Sequence, residues 1–411
     1  MDRKYRRVKY ACYMTSATMA VTCNLSPLLF LTLRSLYGIS YSLLGLLVLV
    51  NFVTQLAVDL AFSFFSHRFP IERSVRLTPV LAAVGLVLYA AAPILFPNAV
   101  YFGLLVGTVI FSASSGLAEV LISPTIAAIP AKNPDREMSK LHSVYAWGSV
   151  FMVLFSTLYL FVCGHGAWQW LVLIVMSVPL VAAGLFSGTE IPLMSTPERA
   201  SGAFALLKNR GFLLSVLAIF LGGAAECTMS QWASGYLEGA LGLDKLWGDV
   251  LGVAMFALML GVGRTLYAKC GRNITRVLFL GSIGASACYL VAALTPVPIL
   301  GLVACALTGL CTSMLWPGSL IVASDRFPTG GVFMFAMMAA GGDLGASIGP
   351  QLVGIVTDAA IANPRAVAFA TELGIGAEQL GMKLGMLVGA LFPILAIGAF
   401  ARLHRTKKHD T

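Results

Sequence analysis

Apolar runs of twenty or more residues, cut at intervals by charged, prolyl and glycyl positions, fill most of the chain. The hydrocarbon core of a bilayer accepts about 20 such residues per α-helix. Runs of that length lie near 10–33, 41–65, 77–96, 100–129, 138–163 and 168–187, and a second set near 211–239, 246–268, 274–294, 298–323, 330–358 and 381–402. Between the sets, residues 188–210 (GTEIPLMSTPERASGAFALLKNR) form the longest polar connection inside the chain. The pattern predicts an all-α membrane protein of 12 transmembrane helices in two pseudo-symmetric six-helix bundles. The bundles are expected over 1–187 and 211–411, with 188–210 as a cytoplasmic linker.

Composition sharpens this picture. Of 411 residues 58% are hydrophobic and 11% charged, against roughly 25% charged in soluble domains. Mean hydropathy is +0.87. The net charge of +9 does not indicate a nucleic-acid partner, because the basic residues are dispersed among the loops. All but Arg34, Lys245, Arg365 and Lys383 of the 27 lysines and arginines fall on one side of the expected spans. That asymmetry predicts a multi-pass protein of the cell (inner) membrane with both termini cytoplasmic. The cationic start runs into an apolar span without a small-residue cleavage site, and reads as a retained first helix. The eight cysteines are scattered, with no Cys-x-x-Cys pair, and read as small packing residues.

The halves also echo each other. GLAEVLISP carries Gly116 and Pro124, and GLCTSMLWP carries Gly309 and Pro317, 193 residues later. Gly148 and Gly341 stand at the same offset. Internal repeats of this kind build transporters whose substrate site lies at the bilayer midplane and whose halves rock in alternating access.

Ionisable residues inside spans are expensive and point to function. Glu119 lies near the middle of the fourth span, Glu226 in the seventh and Asp343 in the eleventh. Glu119 reads either as a carboxyl that exchanges a proton or as one that locks helices together. Asp343 is either a further coupling acid or the partner of Arg264, which sits near the cytoplasmic end of the eighth span in a gate position. Asn51, Gln55 and Asp59 recur every four residues and form one polar stripe on the second span. The stripe must face the bundle interior, and Asp59, closest to the cytoplasm, falls at a gate. Gln231 and Trp232 beside Glu226 offer an amide and an indole of the kind that hold a small polar ligand. His142, Tyr145 and Trp147 (LHSVYAWG) line a cavity or pack, as do Asn24 and Trp316. No P-loop, metal-ligand spacing or nucleophile elbow is present, which argues against an enzyme and against a resident metal or cofactor.

Twelve helices in two halves with both ends inside resemble the major facilitator superfamily. Its signature, Gly-x-x-x-Asp-Arg/Lys-x-Gly-Arg/Lys-Arg/Lys, aligns with SFFSHRFPIER, where Ser63, His67 and Pro70 replace Gly, Asp and Gly while Arg68 and Arg73 stay basic. The second copy, RTLYAKCGRN, keeps Lys269, Gly271 and Arg272 but has Ala268 for Asp. The resemblance implies a cytoplasmic gate that includes Arg68, in altered form. NLSPLLFLTLRSLYGIS, GLAEVLISP, LHSVYAWG, GGAAECTMSQWASGYLEGALGL and GGDLGASIGPQLVG resemble the fucose-permease-like branch. In that branch an acid on the fourth helix precedes a proline by five residues, as Glu119 precedes Pro124 here. Its aspartate on the first helix has no counterpart; Asn24, Ser26 and Pro27 stand there.

These readings predict a proton-coupled transporter of a small polar solute, a sugar or related compound, driven by the proton gradient. Its partners are substrate, protons and membrane lipids, and such a bundle works as a monomer. A proton-antiporting exporter of drugs or metabolites and a non-transporting receptor or scaffold are the alternatives.

Overall fold

The structure, a computed structural model, describes residues 5–65, 69–130, 134–192, 206–270, 273–327 and 331–407, with no strand among them. The helices before residue 193 are α1 (Arg6–Leu28), α2 (Phe30–Tyr37), α3 (Tyr41–Phe65), α4 (Ile71–Leu95), α5 (Val100–Ala128), α6 (Pro134–Cys163), α7 (Trp168–Val175) and α8 (Ser177–Phe186). Those after it are α9 (Arg210–Gly239), α10 (Lys245–Trp247), α11 (Met255–Cys270), α12 (Ile274–Leu294), α13 (Pro298–Thr312), α14 (Leu315–Arg326), α15 (Gly331–Ala362), α16 (Pro364–Glu372) and α17 (Ala377–Lys407).

Among the described residues, 10 helical segments are long and apolar enough to cross a membrane. The first expected span supplies an eleventh in two pieces, α1 and α2, bent by 47°. Its kink has a plain cause: Pro27 has no N–H to donate, and the chain turns at Leu29. The fifth expected span lies in α6, which includes the apolar stretch Trp147–Cys163.

The chain forms two compact units, Met1–Thr32 with Val50–Arg199, and Leu33–Leu49 with Ala200–Thr411. Helices come close in both where glycine removes a side chain. In the first unit a Cβ on Gly116 of α5 would lie 2.9 Å from the Gln55 carbonyl oxygen of α3. In the second, a Cβ on Gly309 of α13 would lie 2.2 Å from the Phe256 carbonyl oxygen of α11. Likewise Gly148 of α6 meets Ala17 and Ala20 of α1, and Gly341 of α15 meets Val216 and Ile219 of α9. Glycines related by the sequence repeat therefore make corresponding helix contacts within each unit.

The segment Leu33–Leu49 is fastened into the second unit by charge. Asp358 of α15 caps the start of α3, accepting from the backbone N–H of Tyr41 (3.1 Å) and Ser42 (2.6 Å). Glu378 of α17 accepts the Tyr41 hydroxyl and pairs with Arg34 at 3.4 Å. The Arg34 guanidinium lies 4.1 Å from the centre of the Tyr41 ring, a cation–π contact that joins the two.

Gly309→Ala sets a methyl against the Phe256 carbonyl oxygen, an overpacking worth about 1–3 kcal/mol. Its melting temperature in detergent is expected to fall clearly below that of the parent. Gly261→Ala, where nothing lies within 4 Å of the added Cβ, is expected to leave it unchanged; equal melting of both variants would refute the close-packing role.

Candidate functional site

The first unit brings two carboxylates together, and the second a carboxylate and a guanidinium. In the first, the polar stripe of α3 faces α5. Asn51, 6% exposed, accepts a 2.6 Å hydrogen bond from Ser112 of α5 at its Oδ1. Gln55, one turn on, is buried and donates to the Asn51 carbonyl oxygen at 3.4 Å. A further turn brings Asp59, with one carboxylate oxygen within 4.8 Å of one from Glu119 of α5. Asp59 is half-buried and Glu119 exposed. The Asp59 Oδ1 is shielded from solvent and has no hydrogen-bond partner among the described residues. Gly116, one turn before Glu119, allows the approach, because α3 and α5 touch there.

Elsewhere in this unit Asn24 donates to the Ala20 carbonyl oxygen (2.7 Å) and to Ser149 of α6 (3.2 Å). Its amide joins α1 to α6. Tyr145 is half-buried and Trp147 is 68% exposed. His142 lies on α6, but its side chain, like the whole of Arg68, falls outside the described residues.

In the second unit, Glu226 of α9 pairs with Arg264 of α11 at 3.2 Å. The partner of Arg264 is thus Glu226; Asp343 of α15 is buried at 5% exposure. A second bond fixes the guanidinium: its Nε donates to the Ser313 carbonyl oxygen at 3.1 Å. That oxygen is available because the residue four positions on is Pro317, which has no N–H, and the helix breaks between α13 and α14. The repeated proline seen in the sequence thus provides the acceptor that places Arg264. The second carboxylate oxygen of Glu226 is buried without a hydrogen-bond partner among the described residues.

Trp232 is 1% exposed, donates its indole N–H to the Pro350 carbonyl oxygen at 2.8 Å, and packs against Tyr41 with ring centres 5.9 Å apart. Its surface is taken up by helix packing. Gln231 is likewise buried. The Trp316 ring lies against Gly223 and Gly342, where an added Cβ would come within 2.9 Å and 2.4 Å of it.

Several participants escaped the sequence reading. Ser112, Ser149 and the Ser313 carbonyl are the partners of residues it named, and isolated serines in apolar helices carry no individual signal. Gln351 of α15 has a buried Oε1 with no partner among the described residues. Its signal was present, since it is an amide inside an apolar span next to Pro350.

An all-helical chain with this many apolar spans, internal repeats and carboxylates within its helices has the build of a multi-pass solute transporter. The chain belongs to the Major Facilitator Superfamily, which it matches over residues 10–350. Solved structures agree in fold. A bacterial homologue of the human lysosomal transporter Spinster, inward-facing and unoccupied, superposes with TM-score 0.78 at 16% identity, covering 99% of this chain and 98% of that one. A D-xylose–proton symporter gives 0.71 at 15%, covering 95% and 97%. A variant of the E. coli fucose:proton symporter gives 0.58 at 16%, covering 96% and 99%. No curated protein matches the sequence significantly. The superfamily consists of transporters, not enzymes, that bind small-molecule substrates and often use protons.

Arg264→Leu leaves the Glu226 carboxylate enclosed without its cation, and is expected to destabilise more than Glu226→Gln. The double variant should recover about 1–3 kcal/mol of the summed loss. Thermal unfolding of the four proteins measures that coupling, and strict additivity would show that the pair is not an energetic unit.

Proposed function

We propose that the chain is a proton-coupled secondary transporter that moves a small polar solute, a sugar or related compound, across the cell membrane by alternating access. The observation that carries the reading is the Asp59–Glu119 pair, two carboxylates within 4.8 Å on neighbouring apolar helices. Within the first unit no described cation forms a salt bridge to either. Two negative charges so close repel each other. The pair therefore takes up a proton, and loses it when water reaches the site from the other side. The driving force is the proton gradient, with no cofactor or metal required.

The same reading gives the chain twelve spans in two six-helix bundles, 1–187 and 211–411, joined by a cytoplasmic linker at 188–210. The basic-residue asymmetry supports cytoplasmic termini. Likeness of GLAEVLISP and its companion stretches to the fucose-permease-like branch supports a sugar-like cargo. Glu226 and Asp343 are further acids for the coupling path, and Asn24, Asn51 and Gln55 are the polar groups closest in chemistry to a sugar's hydroxyls. A bundle of this kind functions as a monomer.

Glu119→Gln, inserted normally in the membrane, is expected to abolish accumulation driven by an acid-outside gradient in proteoliposomes while retaining solute exchange. A purified-protein screen for thermal stabilisation by sugars, acids, amines and drugs at two pH values selects the solute for that assay. Equal accumulation by variant and parent would sink the coupling role. Stabilisation by lipophilic cations alone would turn the reading to export.

A further inference from the structure

The Glu226–Arg264 pair is built so that only half of it is used. Arg264 holds its position without help from Glu226, because its Nε is tied to the Ser313 carbonyl oxygen. Its Nη2 meets a single carboxylate oxygen at 3.2 Å, so the pairing is one-pronged. The side chain is 44% exposed while that of Glu226 is 15% exposed. Among the described residues no further partner is bonded to the guanidinium, which leaves Nη1 and the outer edge of Nη2 open. A guanidinium anchored at Nε and open along its Nη edge matches the two oxygens of a carboxylate.

We propose that this edge is the binding subsite for the carboxylate of a monoanionic solute, which displaces Glu226 from Arg264 as Glu226 accepts a proton. The proposal rests on the proton-coupled reading above and narrows its cargo to a small organic acid, such as a sugar acid. The charge balance supports one class of ligand. At rest the pair is neutral. An added anion alone leaves one negative charge in a low-dielectric site, and a proton on Glu226 restores neutrality. A monocarboxylate with one proton therefore binds at no net cost in charge, whereas a phosphate dianion with one proton does not. A neutral sugar makes no use of the exchange.

The helices packed on α9 carry further titratable groups: Tyr267 on α11, Tyr289 on α12, Cys305 and Cys311 on α13, Asp325 and Arg326 on α14, Asp343 and Asp358 on α15, and Glu378 and Lys383 on α17. Tyr289 is committed to the Ala225 carbonyl oxygen at 2.7 Å. Arg264 is the one described cation in hydrogen-bond contact with Glu226.

The purified full-length protein tests this by binding and flux measured separately. Glucuronate, gluconate and lactate are compared with glucose by thermal stabilisation at pH 6 and pH 8, then by uptake into proteoliposomes under an acid-outside gradient. At least one acid is expected to bind more than tenfold tighter at pH 6 than at pH 8. Arg264→Gln is expected to lose that binding by tenfold or more, and Glu226→Gln to bind with an affinity that no longer follows pH. Failure of every acid to bind the parent, or binding that survives in Arg264→Gln, overturns the subsite. Proton-driven uptake of glucose alone overturns it too, and leaves the transport reading standing. Binding of an acid that depends on Arg264, without proton-driven uptake, upholds the subsite and defeats the transport reading instead.

Discussion

A hydroxyl inside a membrane-spanning helix has no water to bond, and here it bonds the carbonyl one turn back. Thr15, Thr78, Thr125, Ser282, Thr308 and Thr357 all donate to the residue four positions earlier. The bilayer enforces this, since an unmet polar group in hydrocarbon costs several kcal/mol. Small polar side chains thereby vanish into the helices that carry them. What stands out against that background is the handful of groups too charged to be settled locally. Carboxylates must find their answer on another helix, and they select which helices meet.

The two units answer differently. In the first, α3 and α5 bring together two groups of the same charge, with Gly116 permitting the approach. In the second, α9 and α11 bring together groups of opposite charge, with a proline-freed carbonyl setting the cation in place. One pair is like-charged and the other is of opposite charge. The repeat in the sequence thus preserves helix packing while the chemistry on it has diverged, Glu119 on α5 facing a second acid and Arg264 on α11 facing Glu226.

Helix positions were legible because length and apolarity specify a crossing almost without competition. The exception has a local cause: Pro27 bends the first span. The stripe Asn51, Gln55, Asp59 follows from spacing alone. Its meeting with Glu119 does not, because a partner sixty residues away depends on how each helix is rotated about its axis, which spacing cannot specify. The same holds for Arg264. From the sequence it stood between Asp343 and a gate, and its actual partner followed from a hydrogen bond that Pro317 could not make. Trp232 was read as part of a ligand platform from its place beside Glu226 and Gln231; its contacts with the Pro350 carbonyl and Tyr41 depend on helix packing that spacing does not specify.

The clasp formed by Arg34, Tyr41, Asp358 and Glu378 bears on how the chain can be divided. A break anywhere in the linker yields a C-terminal fragment without residues 33–49, whose Asp358 and Glu378 carboxylates lack the groups that satisfy them. The N-terminal fragment carries the missing segment. Neither piece is self-sufficient in the way two independent bundles would be, and co-expressed fragments have a built-in means of finding each other. The turn between α2 and α3 is therefore less a connector within one half than a tether contributed by one gene segment to the other.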